Sequence, residues 1–188
     1  MLVLLSCAAT VKGQDANAPS GNKLTAYIGG GISFYQGTAG TPSGLKASVT
    51  KVKPATTLRV MWKPDFLLRV GLESGLVQFY SYTIDDAGIK SATSVEAVPI
   101  LMVFSMPATP NLNFYAGTGT YIMRSVLDYE GKVTTTGLSL GWMVAAAYDV
   151  PLSRSLGINT EFKWHQAVPT RDGSLNLQVQ LRWHFLQQ

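Results

Sequence analysis

Charge is the commodity this sequence is short of. Lysine, arginine, aspartate and glutamate make up 14% of it while 46% of its residues are apolar, against roughly 25% charged in an average soluble domain. That shortage argues against an ordinary water-facing surface. Long apolar runs are missing too. The longest, 98–104, is interrupted by Pro99 and is strand-sized, which excludes a transmembrane helix of about 18 or more residues from the sequence given. Cysteine is confined to Cys7, so no disulfide framework supports the fold. The two histidines, His165 and His184, lie 19 positions apart and form no metal-ligand spacing. The net charge of +4 comes without a lysine or arginine stripe, so nucleic acid is not an expected partner.

Strict alternation is what the chain has in abundance. From Ser174 to Phe185, Leu175, Leu177, Val179, Leu181, Trp183 and Phe185 share one parity, and Ser174, Asn176, Gln178, Gln180, Arg182 and His184 share the other. A strand sends successive side chains to opposite faces, whereas a helix would repeat its apolar positions at three and four. Comparable segments at 23–35, 57–63, 66–83, 94–106, 112–127, 136–150 and 156–166 bring the expected strand count to eight. The second of these could begin several residues earlier. Connections after the second, fourth and sixth strands are short and contain proline; those after the first, third, fifth and seventh are longer, polar and rich in small residues. Short turns on one side and long loops on the other, with an even strand count, describe an up-and-down barrel.

The two parities then have to be assigned to an inside and an outside. The polar parity is mostly small or uncharged, as in Gly29, Gly31, Ser33, Gly71, Ser139 and Gly141. Its few charges come in both signs, at Arg69, Glu73, Glu96, Arg124, Glu161, Lys163 and Arg182. The parity of the fifth strand is ambiguous, and Thr118, Thr120 and Arg124 are read as sharing its polar face. Such a face suits a narrow lumen where opposite charges pair, with Glu73 expected beside Arg69 and Glu161 beside Lys163 or Arg182. The apolar parity carries Trp62, Tyr80, Tyr82, Trp142, Tyr148, Trp164, Trp183 and Phe185, many near strand ends, as an aromatic girdle at a lipid interface requires. The expected fold is therefore all-β, an eight-stranded antiparallel up-and-down transmembrane β-barrel, with lipid outside and polar residues within.

Residues 1–13 have the apolar and small-residue regions of an export signal but no basic start, so the true start is expected upstream. Two processing routes stay open: cleavage after Gly13, or acylation of Cys7 within Leu4-Leu-Ser-Cys7. Residues 14–22 read as a polar tether and 23–188 as a single barrel domain.

Three motifs carry a family resemblance. Val95-Glu-Ala-Val-Pro-Ile-Leu101, Tyr115-Ala-Gly-Thr-Gly-Thr-Tyr121 and the terminal alternation ending in Leu181, Trp183 and Phe185 resemble segments of the small outer-membrane β-barrels of the OmpA/OmpX type, in particular the porin-family, PorT-like barrel domain. Leu186-Gln-Gln188 runs past the final aromatic and departs from the family's terminal signal. The resemblance implies an integral protein of the outer membrane of a Gram-negative-type bacterium, in contact with outer-membrane lipid and with envelope protein partners.

No catalytic constellation, cofactor site or metal site emerges. Gly29-Gly-Gly31 lies within a strand and lacks the Lys-Ser/Thr tail of a phosphate loop. His165, with Arg171 and Asp172 across the fourth loop, is the best candidate for rim chemistry but lacks a nucleophile–base pair. The expected function is non-enzymatic: a structural or interaction component acting through its loops, foremost the first loop, 36–56, with Lys46, Lys51 and Lys53. The alternatives are a small pore or ligand-binding barrel, a rim enzyme and a soluble lipocalin-like carrier.

Overall fold

The computed structural model describes residues 23–36, 47–64, 68–86, 89–128, 132–168 and 173–187. In it the alternating segments become nine strands: β1 (Lys23–Tyr35), β2 (Ala47–Thr50), β3 (Val52–Lys63), β4 (Arg69–Asp86), β5 (Ile89–Pro107), β6 (Leu112–Asp128), β7 (Lys132–Pro151), β8 (Leu156–Ala167) and β9 (Gly173–Gln187). Both β2 and β3 pair with β4 and are separated only at Lys51, so together they form one stave of eight. Sequence neighbours pair antiparallel all the way round, β4 with β5 included. β1, already paired with β3, also pairs with β9 from Lys23↔Gln187 to Tyr35↔Ser174. That ladder closes the sheet into a barrel and removes the edge from its wall.

Closure sends the two parities to opposite environments. Along β9, Ser174, Asn176, Gln178 and Gln180 are buried inside, whereas Leu177, Val179 and Leu181 stand outside at 46%, 55% and 46% exposure. Leu72, Leu138, Leu140, Val144 and Phe162 repeat the pattern on other strands. An apolar outer wall of this extent around a polar interior inverts the order of a soluble barrel and matches a barrel surrounded by hydrocarbon. Small inner-face residues let the staves approach closely; a Cβ at Gly31 would collide with the Leu177 carbonyl of β9.

Trp62, Trp142, Tyr148, Trp183 and Phe185 lie exposed on the outer face, with the Trp183 and Phe185 rings 5.5 Å apart. Trp164 shares their parity and lies over Gly173. Tyr80 and Tyr82 belong to β4, but their side chains are outside the described residues.

The strands run further than polarity alone suggests. β4, β5, β6 and β7 span 18, 19, 17 and 20 residues, against 13, 12, 12 and 15 for β1, β3, β8 and β9. Stretches such as Val133-Thr-Thr135, between the expected fifth and sixth strands, are polar enough to read as loop. Their β-branched side chains nevertheless favour the extended backbone, which the hairpin partner satisfies with ladder hydrogen bonds. For the same reason the expected first loop is shorter, since Lys53 and residues 47–50 are strand. The signal and tether expected over 1–22 with Cys7, and Lys46, Arg171 and Asp172, fall outside the described residues.

Candidate functional site

The inward parities of β3, β4 and β8 place four charged side chains at one level of the lumen: Arg59, Glu73, Glu161 and Lys163. Each cation touches both anions. Arg59 binds Glu161 at 2.6 Å and Glu73 through its Nε at 2.6 Å, and Lys163 binds Glu73 at 2.6 Å and Glu161 at 2.7 Å. All four side chains are at most 1% exposed. Two positive and two negative groups cancel, as a buried cluster needs, because an unpaired ion in this setting would lose several kcal/mol of solvation. Polar neighbours complete the set. Lys163 Nζ donates to the Thr57 hydroxyl at 3.1 Å, which donates to Gln178 Oε1 at 2.6 Å, and Gln180 donates to Glu161 at 3.1 Å. The Arg59 guanidinium lies over the Tyr115 ring, 4.2 Å from its centroid.

The position of this cluster in the ring matters as much as its chemistry. Counted round the eight staves, β4 and β8 are four apart and so face each other across the barrel. The 2.6 Å contact between Glu73 and Lys163 therefore spans the diameter of the lumen. Toward the loops, Val77, Phe79, Tyr121 and Met143 fill the space above it. His165, 1% exposed, sits there with its Nδ1 2.9 Å from the Tyr121 hydroxyl, a contact that fixes the ring inside the packing. Toward the short turns, Asp149 accepts from Asn113 at 2.7 Å and Asn159 at 2.9 Å and pairs with Arg182 at 3.4 Å.

Of the charges expected in the lumen, the structure brings Glu73, Glu161 and Lys163 together and adds Arg59. Arg59 shares the polar parity of its strand with Met61, which was the available signal; its partners lie 14 and 102 positions away and have none. Arg69 does not pair with Glu73. Four positions along an extended strand is roughly 13 Å, and Arg69 instead donates to Asn113 at 3.3 Å. Arg182 turns to Asp149 rather than Glu161. Glu96 and Arg124 are corrected to the outer face, where they stand opposite each other on β5 and β6 and Glu96 accepts from Gln78 at 2.8 Å. Thr118 and Thr120 go outward with Arg124. The inner parity here is Ala97, Leu101, Val103, Tyr115 and Tyr121. Both parities of β5 and β6 are largely apolar or small, so polarity cannot mark the lumen, and pairing with β4 and β7 decides it.

No family model matches the chain, and no curated protein matches it in sequence. Solved structures do match in fold. A crystal structure of Ail, the attachment invasion locus protein of Yersinia pestis, superposes with a TM-score of 0.55 at 12% identity, over 86% of this chain and 99% of Ail. A second Ail structure, with the heparin analogue sucrose octasulfate, gives 0.51 at 11% identity over 86% and 99%. The N-terminal β-barrel domain of Pseudomonas aeruginosa OprF gives 0.49 at 9% identity over 87% and 99%. With its closed ring of eight staves, its apolar outer wall and its polar interior, the chain has the fold of the small integral outer-membrane β-barrels.

Proposed function

We propose that this protein is a closed barrel of the outer membrane of a Gram-negative-type bacterium, working as a non-enzymatic interaction component through the sheet that β4 to β7 raise beyond the barrel wall. The observation that carries this reading is the free edge of β7. Its ladder with β8 ends at Gly141↔Ala167, while its ladder with β6 continues to Asp128↔Lys132. Residues 132–139 thus have a strand partner on one side only among the described residues. Side chains of both parities from Val133 to Leu138 are exposed, and a Cβ at Gly137 would meet open space. Unpaired backbone groups along an extended edge accept an added strand, with main-chain hydrogen bonds giving affinity. The occupant that fits is an extended segment of an envelope or extracellular protein.

Photo-reactive residues at Thr134 and Thr136 are expected to form protein adducts in intact cells, while the same residue at Phe162, on the doubly paired β8, gives only lipid background. Absence of protein adducts from both β7 positions would remove this edge as the working surface.

Transport is disfavoured by the ion contacts across the diameter, because an eight-stranded interior is about wide enough to be filled by its own side chains. Purified protein in planar bilayers is expected to show no steady conductance. Resolvable single-channel steps would overturn the closed-lumen reading and favour a pore.

A further inference from the structure

From the lumen mouth on the short-turn side we infer a binding site for a free tetrahedral oxyanion of the phosphate type. A cavity of about 100 Å³, room for several waters, opens there between Thr25, Lys63, Arg69, Asn113, Arg182 and His184. Among the described residues its permanent charges are three cations and a single carboxylate, Asp149. That carboxylate is already engaged at both oxygens: Oδ2 accepts from Asn113 at 2.7 Å, and Oδ1 accepts from Asn159 at 2.9 Å and meets Arg182 at 3.4 Å.

Lys63 and Arg69 are left without a carboxylate among the described residues. Among the described residues Lys63 makes no hydrogen bond or ion pair, and Arg69 makes one hydrogen bond, from Nη1 to the neutral Asn113 side chain at 3.3 Å. Lys63 also feels the positive charges of Arg69, Lys23 and Arg182. The contrast lies within the same lumen. The central cluster balances two cations with two anions, whereas the described residues of the mouth gather three cations around one anion that is already engaged.

Like charges held together in a partly enclosed polar cavity repel unless an anion sits among them. A tetrahedral oxyanion meets this geometry well, because guanidinium groups donate in a fixed fork and an ammonium completes the charge. A neutral donor is in place too: the Thr25 hydroxyl lies 2.7 Å from His184 Nδ1 at the wall of the cavity, and whichever of the two donates in that bond, the pair keeps one O–H or N–H for an anion. All these side chains project inward from β1, β3, β4, β6 and β9. A lipid headgroup could reach them only by drawing its acyl chains off the outer wall, so the ligand is a free ion.

Isothermal titration of the purified barrel in a phosphate-free nonionic detergent, with inorganic phosphate replacing chloride at constant ionic strength, tests the site. One saturable equivalent per barrel is expected. Lys63→Gln and Arg69→Gln should each weaken it by about tenfold, and Arg154→Gln, in the exposed β7–β8 turn outside the cavity, should leave it unchanged. If Arg69→Gln fails to fold through loss of its Asn113 contact, Lys63→Gln carries the test alone. No saturable uptake, or equal weakening by Lys63→Gln and Arg154→Gln, would overturn the inference in favour of diffuse charge attraction.

Discussion

Glu161→Gln destabilises the barrel by about 3–5 kcal/mol, the usual cost of removing one partner from a buried ion cluster. The substitution keeps the shape of the side chain and removes one of two negative charges. Arg59 and Lys163, which Glu161 holds at 2.6 and 2.7 Å, are then balanced by Glu73 alone. Neither cation can recover the loss by moving to water, because both are fully buried. Urea unfolding of protein refolded into lipid vesicles, followed by tryptophan fluorescence and by the heat-dependent shift of the folded band on gels, reads the effect. The test of mechanism is the double variant Glu161→Gln with Lys163→Met. It leaves Arg59 with Glu73, a pair that is neutral by itself, and should recover much of the lost stability. Strictly additive losses would mean that the two residues act independently and that charge balance is not what holds the cluster.

Val179→Arg costs about 2–4 kcal/mol when the barrel folds into a bilayer, the range for a cation facing mid-membrane hydrocarbon. Val179 lies midway along β9, opposite Gly30 on one side and Thr160 on the other, and is 55% exposed on the outer wall. In a soluble barrel a side chain so exposed would accept arginine at almost no cost, so the sign of this result discriminates sharply. Val179→Leu should fold like the parent, because hydrocarbon meets either side chain. If Val179→Arg refolded into vesicles with parental stability, the outer wall would not be the lipid-facing one.

The two lumen clusters differ in what they imply for these variants. The central cluster is neutral and closed by direct contacts between opposite walls, so its loss is felt as stability. At the mouth, Lys63 and Arg69 lack carboxylate partners among the described residues, so their loss is felt as binding.

The architecture and most of the sidedness are legible in the residue pattern alone. Period-two alternation is local, and in β1, β7, β8 and β9 one parity is polar or small and the other bulky and apolar, so the pattern names both the strand and its faces. The first strand is expected over 23–35 and observed over Lys23–Tyr35. The shortage of charge and the aromatic residues on the apolar parity pointed to lipid for the same local reason. Where both parities are apolar, as around Leu101 in β5 and Tyr115 in β6, that information is missing, and alternation alone assigns Glu96 and Arg124 to the face opposite the one they occupy. Which charges meet depends on closure of the ring. Glu73 joins Lys163 from 90 positions away because closing eight staves puts β4 opposite β8, a relation that strand count and ladder register create and that no spacing along the chain encodes. The one-sided edge of β7 has the same origin: among the described residues its ladder with β8 ends at Gly141↔Ala167 while its ladder with β6 continues to Asp128, a mismatch between neighbouring strands rather than a property of either one.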